Sequence, residues 1–91
     1  METLKLVLKR KWFDMIASGE KKEEYRDLTK YWTKRILKDY PWLMVTFYLG
    51  YAKDRPSMTF TIASITVGEG KPEWGAESWK RYFVIKLGER I

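Results

Sequence analysis

The run Met58-Thr59-Phe60-Thr61-Ile62-Ala63-Ser64-Ile65-Thr66-Val67 decides the fold, because its apolar positions change parity partway along. Met58, Phe60 and Ile62 are even-numbered, Ile65 and Val67 odd, and the shift falls at Ala63-Ser64. Strand side chains alternate between two faces, so a phase change in an otherwise regular pattern predicts a β-bulge or a corner. Small barrels turn a long strand from one side to the other in this way. The run ends at Gly68-Glu69-Gly70-Lys71-Pro72. Outward from it, the same alternation predicts a first strand with Leu4, Leu6 and Leu8 on one face. It predicts another with Leu43, Val45, Phe47 and Leu49, and a closing strand from Tyr82 to Leu87 with Phe83, Ile85 and Leu87 in phase.

Two helices are predicted in the first half. Trp12, Met15 and Ile16 recur at helical spacing between about Lys11 and Ser18, and Gly19 suits the left-handed position just past a helix end. Asp27 or Thr29 caps the second, in which Leu28, Tyr31, Trp32, Arg35 and Ile36 form a stripe expected to face the core. Arg35 on that stripe must snorkel to water or meet an anion. Asp39-Tyr40-Pro41 breaks the helix. Gly50 to Pro56 is expected to be a loop, and Glu73 to Lys80 a polar connection. About five strands and two short peripheral helices predict an α+β protein, a small mixed β-barrel forming one domain over residues 1–91.

A chain of 91 residues buries only about 60 to 65% of its unfolded surface, so the core must be compact. Five Trp and six Tyr either fill that core or line a groove where planar ligands stack. Cysteine and histidine are absent, which excludes Cys-His and Ser-His-Asp triads within this chain and leaves carboxylates, lysine and tyrosine for acid or base work. The net charge is +6, and between Lys9 and Lys38 ten basic residues face five acidic ones. That asymmetry favours an anionic ligand near the first half, although a solvated face that keeps the protein soluble explains the same letters. With no cleavable leader and no apolar run of transmembrane length, a cytoplasmic location without membrane contact is expected.

Lys21 to Arg26 carries five charges around one aromatic. In a regular strand Lys22, Glu24 and Arg26 share one face, and Lys21, Glu23 and Tyr25 the other. Neither face is apolar, so the segment is either a solvated edge or one whose charges converge on a pocket. Lys21 and Glu24 are candidates for an activated amine beside a general base, or for a salt bridge; joint action requires an irregular turn at Lys21-Lys22. Arg26 and Arg35 offer guanidinium forks to phosphate or carboxylate, or pair with Glu24 or Asp27. Tyr51 and Lys53 either stack on and neutralise a nucleotide or form a plain loop.

Ser18-Gly19-Glu20-Lys21 with Glu24 and Arg26 resembles the hallmark of the ASCH domain family of the PUA-like superfamily. Tyr31-Trp32 with Lys34-Arg35-Ile36, Gly50 to Lys53, Gly70 to Gly75 and the strand from Tyr82 extend the resemblance over most of the chain. It implies a small PUA-like mixed barrel, which pattern alone does not separate from an OB-fold or another compact α+β arrangement. It also implies a cleft bordered by the first helix, the Gly-x-Lys turn and the charged strand, serving RNA-linked processes or modified nucleosides. Lys21 matches the family lysine, Glu24 the place three residues on, and Arg26 the arginine. Some small bacterial members hydrolyse acylated cytidine with a lysine, a threonine three residues on and a distant glutamate. Glu24 stands here where threonine would be, which removes the hydroxyl nucleophile and leaves a water-activating carboxylate. Trp74, between Glu73 and Gly75, belongs to the cleft or lids the barrel end.

The leading expectation is binding of RNA or a nucleotide-like anionic ligand by Lys21, Glu24 and Arg26, with Arg35, Tyr51, Lys53 and Trp74. A small amidohydrolase or ribonuclease using Lys21 with Glu24 or Glu73 is the alternative, and an adaptor whose basic face meets a protein partner is the third. No metal or cofactor is expected.

Overall fold

The computed structural model describes residues 3–91. Its strands are β1 (Thr3–Leu8), β2 (Glu23–Asp27), β3 (Met44–Leu49), β4 (Ser57–Glu69) and β5 (Arg81–Arg90); its helices are α1 (Arg10–Ala17) and α2 (Lys30–Lys38), with a 3-10 turn at Pro72–Trp74. The strands form one sheet in the order β1-β3-β4-β5-β2, in which β1 and β3 are parallel and every other pair antiparallel. This is a small α+β domain with a curled, mixed five-stranded sheet. None of its described helices is long and apolar enough to cross a membrane.

The curl comes from β4. Its register against β5 shifts between Phe60 and Ile62 and again between Ile62 and Ser64. The parity change at Ala63-Ser64 therefore marks two closely spaced irregularities, across which β4 passes from a stretch flanked by both β3 and β5 to one paired with β5 alone. On the concave side Leu4, Leu6 and Leu8 meet Val45, Phe47, Met58, Phe60 and Ile85, with Phe13 and Ile16 of α1 laid across them. Burying each such side chain contributes about 1.5 to 3 kcal/mol. β5 buries Tyr82 and Val84 as well as Phe83 and Ile85, so both faces of this strand are covered at that end.

The barrel does not close. β1 and β2 are the two edges of the sheet and do not pair; Arg26 Nη2, donating to the Val7 carbonyl at 3.3 Å, spans the seam. Glu24 pairs with Ile85 and Arg26 with Phe83, so both charges lie on the concave face, where their bulk and hydration oppose the dry packing that closure requires.

Two further expectations need correction. The stripe of α2 buries Ile36 and half-buries Trp32 and Arg35, but leaves Leu28 44% and Tyr31 62% exposed, because the start of the helix overhangs the open seam. Leu43 lies before β3 and is 55% exposed, so that strand's core face is Val45 and Phe47 with half-buried Leu49. Of the two expected caps of α2, Thr29 is the one used: its Oγ1 accepts from Trp32 N at 3.2 Å.

Candidate functional site

Gly19 has φ 86°, and Lys21 N donates to the Met15 carbonyl at 2.9 Å, so the chain leaves α1 in a tight turn before β2 begins at Glu23. Lys21 is therefore not on the strand, and strand alternation does not separate it from Glu24. Lys21 Nζ lies 3.2 Å from Glu24 Oε1, and Arg26 Nη2 lies 2.8 Å from Glu24 Oε2. One carboxylate thus serves two cations. The pairing is deep, since Lys21 is 2% and Glu24 7% exposed. Lys21 Nζ also donates to the Trp74 carbonyl and stands 5.0 Å from the Trp12 ring centroid and 4.9 Å from that of Tyr25.

Burial pulls the Lys21 amine below its ordinary value of 10.5, and the charge and hydrogen bond of Glu24 oppose that shift. The linkage has a definite sign. Between the lowered folded value and 10.5 the unfolded chain holds more protons, so stability rises with pH through that window. Lys80 acts oppositely and elsewhere: its hydrogen bond to Asp27 raises its value above 10.5, so the stability it contributes is lost only at higher pH. Urea unfolding at successive pH values up to about 10 is expected to give wild type a steeper rise in stability than Lys21→Met, which lacks the titrating group. Parallel curves would show that Lys21 keeps its ordinary proton affinity in the fold.

Two clefts flank the triad. The first, of about 300 Å³, has Lys21 and Glu24 in its lining beneath the rings of Trp12, Tyr25, Trp74 and Tyr82. At its rim Lys80 Nζ bridges Asp27 at 3.1 Å and Glu77 at 3.9 Å. Tyr25 donates from its hydroxyl to Glu23 Oε1 at 2.8 Å and accepts from Lys71 N at 3.0 Å; burial raises its proton affinity, so it stays a neutral phenol. Gly75, at φ 102°, brings the backbone against Trp12, whose ring would stand 3.0 Å from an added Cβ.

The second cleft, of about 560 Å³, runs along β1 on the other side of Arg26. Lys5, Arg26, Arg35 and Arg55 contribute four cations, and Tyr31, Trp32, Tyr48 and Tyr51 four aromatic rings. Among the described residues no carboxylate lines it. The Arg26 and Arg35 guanidinium carbons stand 4.9 and 5.6 Å from the Trp32 centroid, and that of Arg55 stands 4.2 Å from Tyr48. Such stacks keep a guanidinium planar and partly desolvated beside a ring.

Of the residues expected from sequence, Lys21, Glu24 and Arg26 come together, with Trp74 over the first two. Arg35 and Tyr51 join Arg26 in the second cleft. Lys53 and Glu73 are exposed and line neither cleft, and Glu77 is the carboxylate found at the rim beside Lys80. Lys5, Tyr48 and Arg55 were not expected. Arg55 carries the only earlier signal, as the second cation of the loop that holds Lys53. No protein-family model, curated protein or solved structure matches this chain.

Proposed function

We propose that this chain is an ASCH-like domain of PUA-like type that binds RNA or a nucleotide-like anionic ligand. The observation that carries the proposal is the second cleft, where four cations and four rings gather with no lining carboxylate. Phosphates need the cations and bases need the rings, and a surface that only confers solubility has no reason to collect both in one concavity. Arg26 belongs to this cleft and is held by Glu24, so the charged strand sets the position of one of its forks. Fluorescence anisotropy with a labelled oligouridylate provides the test. Among the described residues Lys5, Arg35 and Arg55 make no salt bridge, and these three cations predict a slope of log affinity against log salt near −2, at about −0.7 per contact with a single strand. Binding should therefore fall roughly tenfold or more between about 50 and 200 mM salt. Absence of binding at low salt would refute the proposal, and a salt-insensitive complex with a protein would favour an adaptor.

A second function is favoured by a different observation. A buried amine of lowered proton affinity beside a carboxylate, in the lining of a ring-walled cleft, suits hydrolysis of an amide such as that of acylated cytidine. Under it, turnover without added metal is abolished by Lys21→Met while oligouridylate binding persists.

A further inference from the structure

Resting on the nucleic-acid reading above, the geometry points to a single-stranded nucleic acid segment of two or more nucleotides as the ligand, with its phosphates laid along the free edge of β1. A sheet edge ordinarily offers alternating N–H and C=O groups, a template for another strand. Here the acceptors at Lys5 and Val7 are already taken. Arg35 Nη2 donates to the Lys5 carbonyl at 2.8 Å and Arg26 Nη2 to the Val7 carbonyl at 3.3 Å. Backbone groups of residues two apart point the same way in a strand, and the Leu8 carbonyl accepts from Gly50 N on the β3 side, so the N–H groups of Lys5 and Val7 face the seam beside those two guanidinium groups. The edge has become a row of donors. Between Lys5 and Val7 an extended peptide meets carbonyls already bonded to guanidinium groups, whereas a phosphodiester chain brings only acceptors.

Charge spacing separates a chain from a mononucleotide. Lys5 and Val7 lie about 7 Å apart along the strand, so Arg35 and Arg26 are anchored a step apart along the edge while both stand against Trp32. Arg55 stands on Tyr48, whose partner in the sheet is Val7, so it adds a cation on the β3 side of the cleft at the level where Arg26 is anchored. Cations and rings are interspersed in the cleft: Arg35 and Arg26 both stand against Trp32, Arg55 stands against Tyr48, and Tyr51 lies at the rim, 85% exposed. A compact polyphosphate uses cations alone, whereas cations and rings spread through one cleft suit a polymer that carries both phosphates and bases.

The test is a ladder of labelled oligouridylates from one to six nucleotides, with a blunt RNA duplex and a polyglutamate of matching charge as competitors. Affinity is expected to climb at least tenfold from uridine monophosphate to the trinucleotide and then level off, with both competitors at least tenfold weaker than the hexamer. Arg35→Ala should reduce hexamer affinity and make the salt slope shallower by about 0.7. Tyr51→Ala, a rim change that leaves the core untouched, should weaken the hexamer on the order of tenfold without a change in melting temperature. Equal affinity for the monophosphate and the hexamer would overturn the proposal while leaving nucleotide binding intact, as would equal binding of duplex or polyglutamate. Failure of every nucleotide probe to bind would remove the underlying function as well.

Discussion

Replacing Glu24 with glutamine is expected to remove about 3 to 5 kcal/mol of stability and to weaken oligouridylate binding in the same variant. Its two carboxylate oxygens hold Lys21 and Arg26 separately, at 3.2 and 2.8 Å, and the amide leaves both cations facing each other without a counter-ion. A domain of this length is typically worth roughly 5 to 14 kcal/mol in all, so the melting temperature should drop by at least about 10 °C. Arg26 loses the partner that aims it into the basic cleft, which couples binding to stability. The double variant Lys21→Met/Glu24→Gln removes one stranded charge and should recover part of the loss, giving a non-additive cycle. Urea unfolding of wild type, both single variants and the double variant measures this. A change below about 1 kcal/mol for Glu24→Gln would be the behaviour of an exposed pair and would contradict the burial of the triad.

Phe47→Ala should cost a similar 3 to 5 kcal/mol, about what truncating a fully buried phenylalanine costs. Phe47 is 0% exposed at the centre of the sheet, opposite Leu6 on one side and Met58 on the other, and its ring meets Phe60 at 6.1 Å, 60° between planes. No neighbour can fill the space without leaving its own rotamer. The next residue, Tyr48, points the other way to form the wall of the basic cleft, so the core side chain also fixes a ring proposed to bind bases. Phe47→Leu, which keeps most of the volume, should cost only about 1 kcal/mol. Calorimetry on the two variants would show the difference, and equal melting temperatures for alanine and leucine would mean that this position is not packed as described.

Much of the fold was legible because strand periodicity is a local property. Four of the strands and the bend of β4 follow from the parity of apolar residues, and both helices from helical spacing with Gly19 and Pro41, while β2 was read only as a charged segment with no apolar face. The parallel β1–β3 pair and the open seam were not legible, since strand order depends on contacts between distant segments. The site divided in the same way. Charge density around Lys21 marked a segment whose Lys21, Glu24 and Arg26 do come together, and the required irregular turn exists. Charge density alone does not show that Lys21 is buried on Glu24, or that Lys22 lines neither of the two clefts beside Arg26 and Trp74. Lys5, Tyr48 and Arg55 read as ordinary outward residues of a strand or loop, and only the curl of the sheet brings them beside Arg26 and Arg35.

Indole resonances give the most direct measurement, because the five tryptophans are distributed over the features in question. Trp32 lines the basic cleft, Trp12 and Trp74 the first cleft, Trp42 donates to the Ile36 carbonyl at 2.8 Å, and Trp79 is 76% exposed. Titration of the labelled protein with hexauridylate, followed through the indole N–H signals, is expected to shift Trp32 in a saturable, salt-sensitive manner while the other four stay in place. Movement of Trp12 and Trp74 with Trp32 unchanged, or no movement at all, would contradict the assignment of nucleic acid to the basic cleft.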